Sequence, residues 1–187
     1  MRALAAATPH CLVDTAIGAI GLAWSEAGIT CLQLPGPDRA ATERRLAASG
    51  SPPAEPPEEV ARAIAMLERY CRGERVDFSS LPLDLSGVGA FDRAVYEAAR
   101  EVRWGQTVSY GEIARRIGAP EAARAVGRAL GRNPVAIVVP CHRILASGGR
   151  IGGFSAFGGA RAKQRLLALE GVHPGHGTPP IPGLLAD

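Results

Sequence analysis

A thiol and an imidazole stand side by side at Cys141-His142, with Asn133 upstream and Arg143 immediately after. Cysteine attacks as its thiolate, and a free thiol is only a few per cent ionised at neutral pH, so an adjacent proton acceptor is what makes it a nucleophile. The run between Asn133 and the pair, Pro134-Val135-Ala136-Ile137-Val138-Val139-Pro140, is rich in β-branched residues and reads as a buried strand that Pro140 stops. A rigid element would thus deliver Cys141 and His142 to its end. Singly, each residue has a plainer reading: a buried Cys is a small hydrophobe, a His a satisfied core or surface residue, Asn-Pro a turn. Their combination points to nucleophilic chemistry.

The elements around this stretch have legible punctuation. From Ala90, the residues Phe91, Ala94, Val95, Ala98, Ala99 and Val102 form the core stripe of a helix that ends by Gly105. Ser109-Tyr110-Gly111-Glu112 is a capping box that opens a short helix with Ile113 and Ile117, stopped by Gly118. Pro120-Glu121 starts the next helix at once, and the pair reads as a helix-turn-helix. On the second helix Ala122, Val126, Ala129 and Leu130 face inward, while Arg124, Gly127, Arg128 and Gly131 share the other face. Small residues there would let the backbone approach a nucleic acid while guanidinium groups reach phosphates or the base stack. An ordinary basic surface helix has the same pattern. Beyond the Cys-His pair, the glycine-rich stretch from Ser147 to Ser155 lacks P-loop spacing but allows unusual dihedrals and close backbone approach to a ligand. A last helix carries Arg161, Lys163 and Arg165, with Leu166, Leu167 and Leu169 inward, and ends at Glu170-Gly171.

Charge separates the chain into unlike parts. Residues 1–85 carry a net −3 and residues 86–170 a net +7, behind an overall charge of only +3. That asymmetry favours a polyanionic partner for the second half, and a solvated basic face would give the same count. The first half reads as a small scaffold: a strand over 15–24, a turn at Ser25 to Gly28, and a second strand over Ile29 to Leu34. A helix capped by Asp38 runs to about Ala48, and another places Val60, Ile64, Leu67 and Cys71 on one stripe. The expected organisation is α/β (α+β): a scaffold unit over 1–85, a mostly helical unit over 86–172 with the boundary in Leu81 to Gly89, and a mobile Pro/Gly-rich tail over 173–187. Cys11, Cys31, Cys71 and Cys141 lack CxxC spacing, which argues against a disulfide framework and fits a reducing, cytoplasmic setting. His10, Cys11 and Cys31 do not make a full metal-ligand set, so no metal and no cofactor is expected. The opening residues faintly imitate a signal peptide, but Pro9-His10 cuts the apolar run short, and no stretch reaches the ~20 apolar residues a membrane span needs.

The order of these motifs carries a specific resemblance. Asn133-Pro134, Pro140-Cys141-His142-Arg143-Ile144, Gly152-Gly153-Phe154-Ser155 and Leu166-Leu167-Ala168-Leu169-Glu170-Gly171, with Ala122 to Gly127 before them, are similar to the O6-alkylguanine-DNA alkyltransferases over residues 86–172. The resemblance implies a ribonuclease-H-like amino-terminal domain and a monomer acting on double-stranded DNA that contains alkylated guanine. Cys141 would take the alkyl group, and His142 its proton through a water. Glu170 would orient His142, Asn133 would tie the start of the apolar run to the Cys turn, and Tyr110 would donate a proton or hydrogen bond to the leaving base. Pro140, Gly152, Gly153, Phe154 and the Ser155 N–H would shape the base pocket. Ala123, Ala125, Gly127 and Arg128 would line the minor groove, with Arg124 filling the space of the flipped nucleotide. A stable thioether product implies one turnover per chain. The interval around Ala156-Phe157-Gly158-Gly159 is longer than the family pattern, and is either a surface bulge or a place where Phe157 packs at the pocket rim. Two other readings use the same residues: a Cys-His hydrolase, and a non-catalytic lesion-recognition or regulatory helix-turn-helix protein.

Overall fold

Two turns whose glycines have positive φ, Gly18 (116°) and Gly28 (141°), fold the first stretch into an antiparallel meander. Its strands are β1 (His10–Thr15), β2 (Gly18–Ser25) and β3 (Gly28–Gln33) in the order β1-β2-β3. The structure, a computed structural model, describes residues 8–48, 50 and 52–174. The signal-like start and the tail from residue 175 lie outside the described residues. Sequence reading finds β2 and β3 but misses β1, whose His10-Cys11-Leu12-Val13-Asp14 lacks a clean alternation of apolar and polar residues.

Successive residues of a strand face opposite sides, so β2 serves two layers. Gly21 faces α1 (Arg39–Ala47), where an added Cβ would lie 2.2 Å from Leu46 Cδ1. Asp38 caps α1 by accepting the Ala41 N–H at 2.7 Å. Ile20, Leu22 and Trp24 face α2 (Glu58–Cys71) and pack with Val60, Ala63, Leu67 and Tyr70. The outer edge of β3 is covered by later chain. The Ile29 N–H donates to Pro82 O at 3.0 Å, and the Leu32 N–H to Pro134 O at 2.8 Å. The segment before Cys141 is thereby docked on the amino-terminal sheet.

A second core joins α3 (Ala90–Arg100), α4 (Tyr110–Arg116) and α5 (Ala123–Gly131) through Val95, Ala99, Ile113, Val126 and Ala129. Ser109 caps α4 by accepting the Glu112 N–H at 3.1 Å, and a 3-10 turn over Pro120–Ala122 leads into α5. Tyr96 is buried here and donates its hydroxyl to Ala129 O at 2.9 Å, tying α3 to α5. Phe91, expected in the core stripe, is instead 40% exposed. It stands in the first turn of α3, whose inward face is filled by Val95, Tyr96, Ala98 and Ala99.

The expected strand before Cys141 does not form. Val135 bridges Leu32, then the chain turns back: the Val138 N–H donates to Ala136 O and the Val139 N–H to Val135 O. Ile137 takes the left-handed φ of 69° at the turn. A β-branched residue there costs on the order of 1–3 kcal/mol and persists only where its surroundings dictate it. Burial is the dictating term, with Val135, Ile137 and Val138 in the first core and Val139 in the second. The apolar run encodes burial on every side, which a buried strand and a buried turn satisfy alike.

Candidate active site

Cys141, His142 and Arg143 make one 3-10 turn, and all three are buried. Asn133 braces it from behind: its amide donates to Val139 O at 2.8 Å, and its Oδ1 accepts the Val135 N–H at 3.0 Å. The chain leaves the turn as β5 (Ile144–Leu145), which pairs in parallel with β4 (Val108–Ser109). That pairing brings Tyr110, the first residue of α4, beside Cys141.

Behind the turn lies a closed polar network. His142 Nε2 is 2.8 Å from Glu170 Oε1, and Arg143 grips both carboxylate oxygens at 2.9 Å. Glu170 follows α6 (Gly159–Leu169) as its C-cap. Two further donors reach it: the Tyr70 hydroxyl of α2 at 2.8 Å and the Gly105 N–H at 3.3 Å. Burial works against the Glu170 charge, but the hydrogen bonds from His142 and Arg143 and the Arg143 charge outweigh it and bring the carboxyl down to about 2. Burial lowers His142, and the attraction of Glu170 does not fully offset this, so the imidazole rests neutral. Burial also pushes the Cys141 thiol up, against the opposing pulls of Asn133 and Lys163. Thiol and imidazole are therefore both uncharged at rest.

In front of Cys141 opens a cleft of about 690 Å³. Ala123, Arg124 and Gly127 of α5 line one part of it, and Ala146, Ser147, Gly153, Phe154 and Ser155 another, with Tyr110 and Cys141 also on its surface. Pro140, Gly152, Ala125 and Arg128 do not line the cleft. Pro140 is the buried lead into the turn, Ala125 is half-buried, and Arg128 lies exposed one helical turn beyond Arg124. Gly152 sits behind Tyr110: a Cβ there would lie 2.9 Å from the Tyr110 hydroxyl oxygen and 3.1 Å from its ring. Gly152→Ala should therefore displace Tyr110 and slow the chemistry on duplex and free-base substrates alike. Equal rates for the two proteins on both substrates would contradict this placement.

Four residues of the site have no distinct signal in the sequence. Arg115 lines the cleft from α4, Tyr70 comes from the first half, and Arg143 turns inward to Glu170. Lys163, grouped with surface arginines by its position on α6, is fully buried. Its ammonium donates to Ile144 O and lies 3.5 Å from the Tyr110 hydroxyl, and burial lowers it to about 8. Its being the only lysine in the chain was the one available hint. Phe157 is not at the rim of this cleft. It is 54% exposed and borders a separate hollow with Ile17, Leu34 and Arg161, because Gly158 (φ 86°) turns the chain away into α6.

Residues 90–172 match the family model described as 6-O-methylguanine DNA methyltransferase, DNA binding domain. A methylated-DNA–protein-cysteine methyltransferase of Mycolicibacterium paratuberculosis is 42% identical over 161 residues, 86% of this chain and 91% of that protein. One from Haemophilus influenzae is 48% identical over 105 residues, 56% of this chain and 57% of its own length. Among solved structures, Mycobacterium tuberculosis OGT in complex with DNA superposes with a TM-score of 0.70 at 38% identity, covering 86% of this chain and 91% of that one. The O6-methylguanine-DNA methyltransferase of Pyrococcus kodakaraensis gives 0.68 at 26% identity, covering 87% and 99%. The first of these relatives and both structures cover more than four-fifths of the chain, and the chain belongs to the methylated-DNA–protein-cysteine methyltransferase family.

Proposed function

We propose that this protein repairs DNA by moving the alkyl group of an O6-alkylguanine onto Cys141, once per chain. The observation that carries the reading is the position of Cys141: backed by the His142–Glu170 pair, it faces a cleft walled by the arginine-bearing helix α5. The reacting carbon is inaccessible in a stacked duplex, so the base must leave the helix and enter the cleft. Arg124, exposed on α5, takes the space it vacates, and Arg128 meets the backbone. Affinity for DNA then falls as salt rises.

Displacement at the alkyl carbon forms an S–C bond and breaks the C–O6 bond. The thiol proton passes through a water to His142 Nδ1, the sulfur pair attacks carbon, and the C–O6 electrons return to the guanine. Because thiol and imidazole rest neutral, the nucleophile ionises only as it reacts, inside a site that shields it from adventitious electrophiles. The Tyr110 hydroxyl, held between Gly127 and Gly152, donates to the departing base. Lys163 favours that donation by placing positive charge beside the phenol oxygen. The Ser155 N–H would meet the developing charge on O6. Among the described residues lining the cleft with Cys141, none is a second nucleophile placed to release the thioether, so transfer stops at one equivalent.

No helix of the described residues is long and apolar enough to cross a membrane, and a monomer working in the cytoplasm is the setting proposed. The division near residue 85 into scaffold and alkyl-transfer units is likewise proposed, with β3 as the surface on which the second unit docks. The test is Cys141→Ala with a duplex carrying a radiolabelled methyl on guanine O6. Transfer should vanish while duplex binding persists; label appearing on the variant protein would refute the assignment.

A further inference from the structure

The side chains assigned to the reaction lie between residues 109 and 170, and one more group reaches them from elsewhere in the chain. Tyr70, in the last turn of α2, is fully buried, and its hydroxyl lies 2.8 Å from Glu170 Oε1 and 3.2 Å from His142 Nε2. Its ring stands edge-on to Trp104 and to His142, with centroids 5.4 Å and 6.4 Å away. A phenol has a single proton to give, and the Glu170 carboxylate can only accept. The proton therefore goes to Glu170, and the phenol oxygen turns lone pairs toward His142. Both atoms facing His142 Nε2 are then acceptors, so Nε2 carries the hydrogen. The basic lone pair is left on Nδ1, which is buried without a protein hydrogen-bond partner.

We propose that Tyr70 is a positioning residue of the alkyl-transfer site, holding His142 as the Nε2–H tautomer with Nδ1 free to take the proton of Cys141. The inference rests on Cys141 being the alkyl acceptor. Tyr70 acts in two ways. Its oxygen, 3.2 Å from Nε2, gives the Nε2–H a second acceptor that stops the imidazole from tilting, and its O–H draws off part of the Glu170 charge, which tempers how strongly that carboxylate stabilises an imidazolium. The other charged or titratable groups around His142 are Glu170 and Lys163 from α6 and its own neighbours Cys141 and Arg143. Helix α2 thus takes part in the chemistry as well as in the scaffold, and the docking of the two halves through β3 and α2 becomes a condition of activity.

Tyr70→Phe keeps the ring and removes only the hydroxyl. Its rate of alkyl transfer should fall about tenfold, to the same extent on duplex DNA and on free O6-benzylguanine, a fraction of what general-base catalysis contributes. The acid limb of its rate–pH profile should also move to higher pH, because Glu170 with one donor fewer favours protonated His142. 3-Fluorotyrosine at position 70, a stronger donor, should restore the rate and carry the limb to or below its wild-type position. Val60→Ala, at the far end of the same helix, should lower stability without moving the limb. Wild-type rate and limb in Tyr70→Phe, or an equal limb shift in Val60→Ala, would overturn the proposal. Were Tyr70→Phe unable to fold, the fluorotyrosine protein decides: a limb displaced to lower pH supports the role, and an unmoved limb refutes it. Failure of the wild-type protein to become alkylated at Cys141 would instead refute the alkyl-transfer reading beneath it.

Discussion

Glu170→Ala should destabilise the protein by about 3–5 kcal/mol and abolish alkyl transfer, the largest loss expected of any single substitution outside Cys141. The buried carboxylate accepts from His142, Tyr70, the Nε and Nη2 of Arg143 and the Gly105 N–H. Its removal leaves Arg143 with Val102 O as its remaining partner and a buried charge uncompensated. The same pair sets an acid limit on stability. Glu170 has a folded value of about 2 against an ordinary 4.5, so it contributes stability above pH 4.5 that is lost as pH falls toward 2, on the order of 3 kcal/mol. His142 works in the same direction from higher pH. Its folded value lies below the usual 6.5, so the unfolded chain binds the proton first and stability begins to fall below that pH. Urea denaturation of both proteins at pH 7 and pH 3 checks this: the wild type's advantage over Glu170→Ala should shrink by about 2 kcal/mol at the lower pH. A gap that stays constant would mean that the carboxylate is not the ionised hub of the network.

Arg124→Ala should slow repair of a duplex about 100-fold while leaving the reaction with free O6-benzylguanine nearly unchanged, since unstacking a base costs a few kcal/mol and the free base avoids it. Arg124 is exposed on α5 where it lines the cleft, and among the described residues it has no ion-pair partner. Its guanidinium is therefore available to fill the stack. Single-turnover rates on both substrates decide the matter. Parallel losses would place Arg124 in the pocket or the fold, away from base extrusion.

How far these roles were legible depends on how local their physics is. The Ser109 cap of α4 and the periodic stripe of α2 are written within one or two helical turns, and the structure forms both, while the Glu112 carboxylate pairs with Arg115 and Arg116. The Cys-His pair was legible because adjacency in sequence guarantees adjacency in space. Pro134 to Val139 failed as a strand because burial among two cores, a long-range effect, joined the local Asn133 brace in choosing a turn with Ile137 at positive φ. Tyr70 was invisible for a similar reason: nothing on a helical stripe marks which of its residues will meet Glu170, 100 positions later. Lys163 was misplaced because a long cationic side chain on a helix between arginines normally reaches water, whereas here Ile144 O and Tyr110 draw it inward.

Intact-protein mass spectrometry after mixing with excess O6-methylguanine duplex, followed by peptide mapping, tests the central claim most directly. The mass should rise by one methyl group and no further, with the whole gain on the peptide containing Cys141. Methyl release beyond one equivalent per chain, or a modified residue other than Cys141, would contradict it.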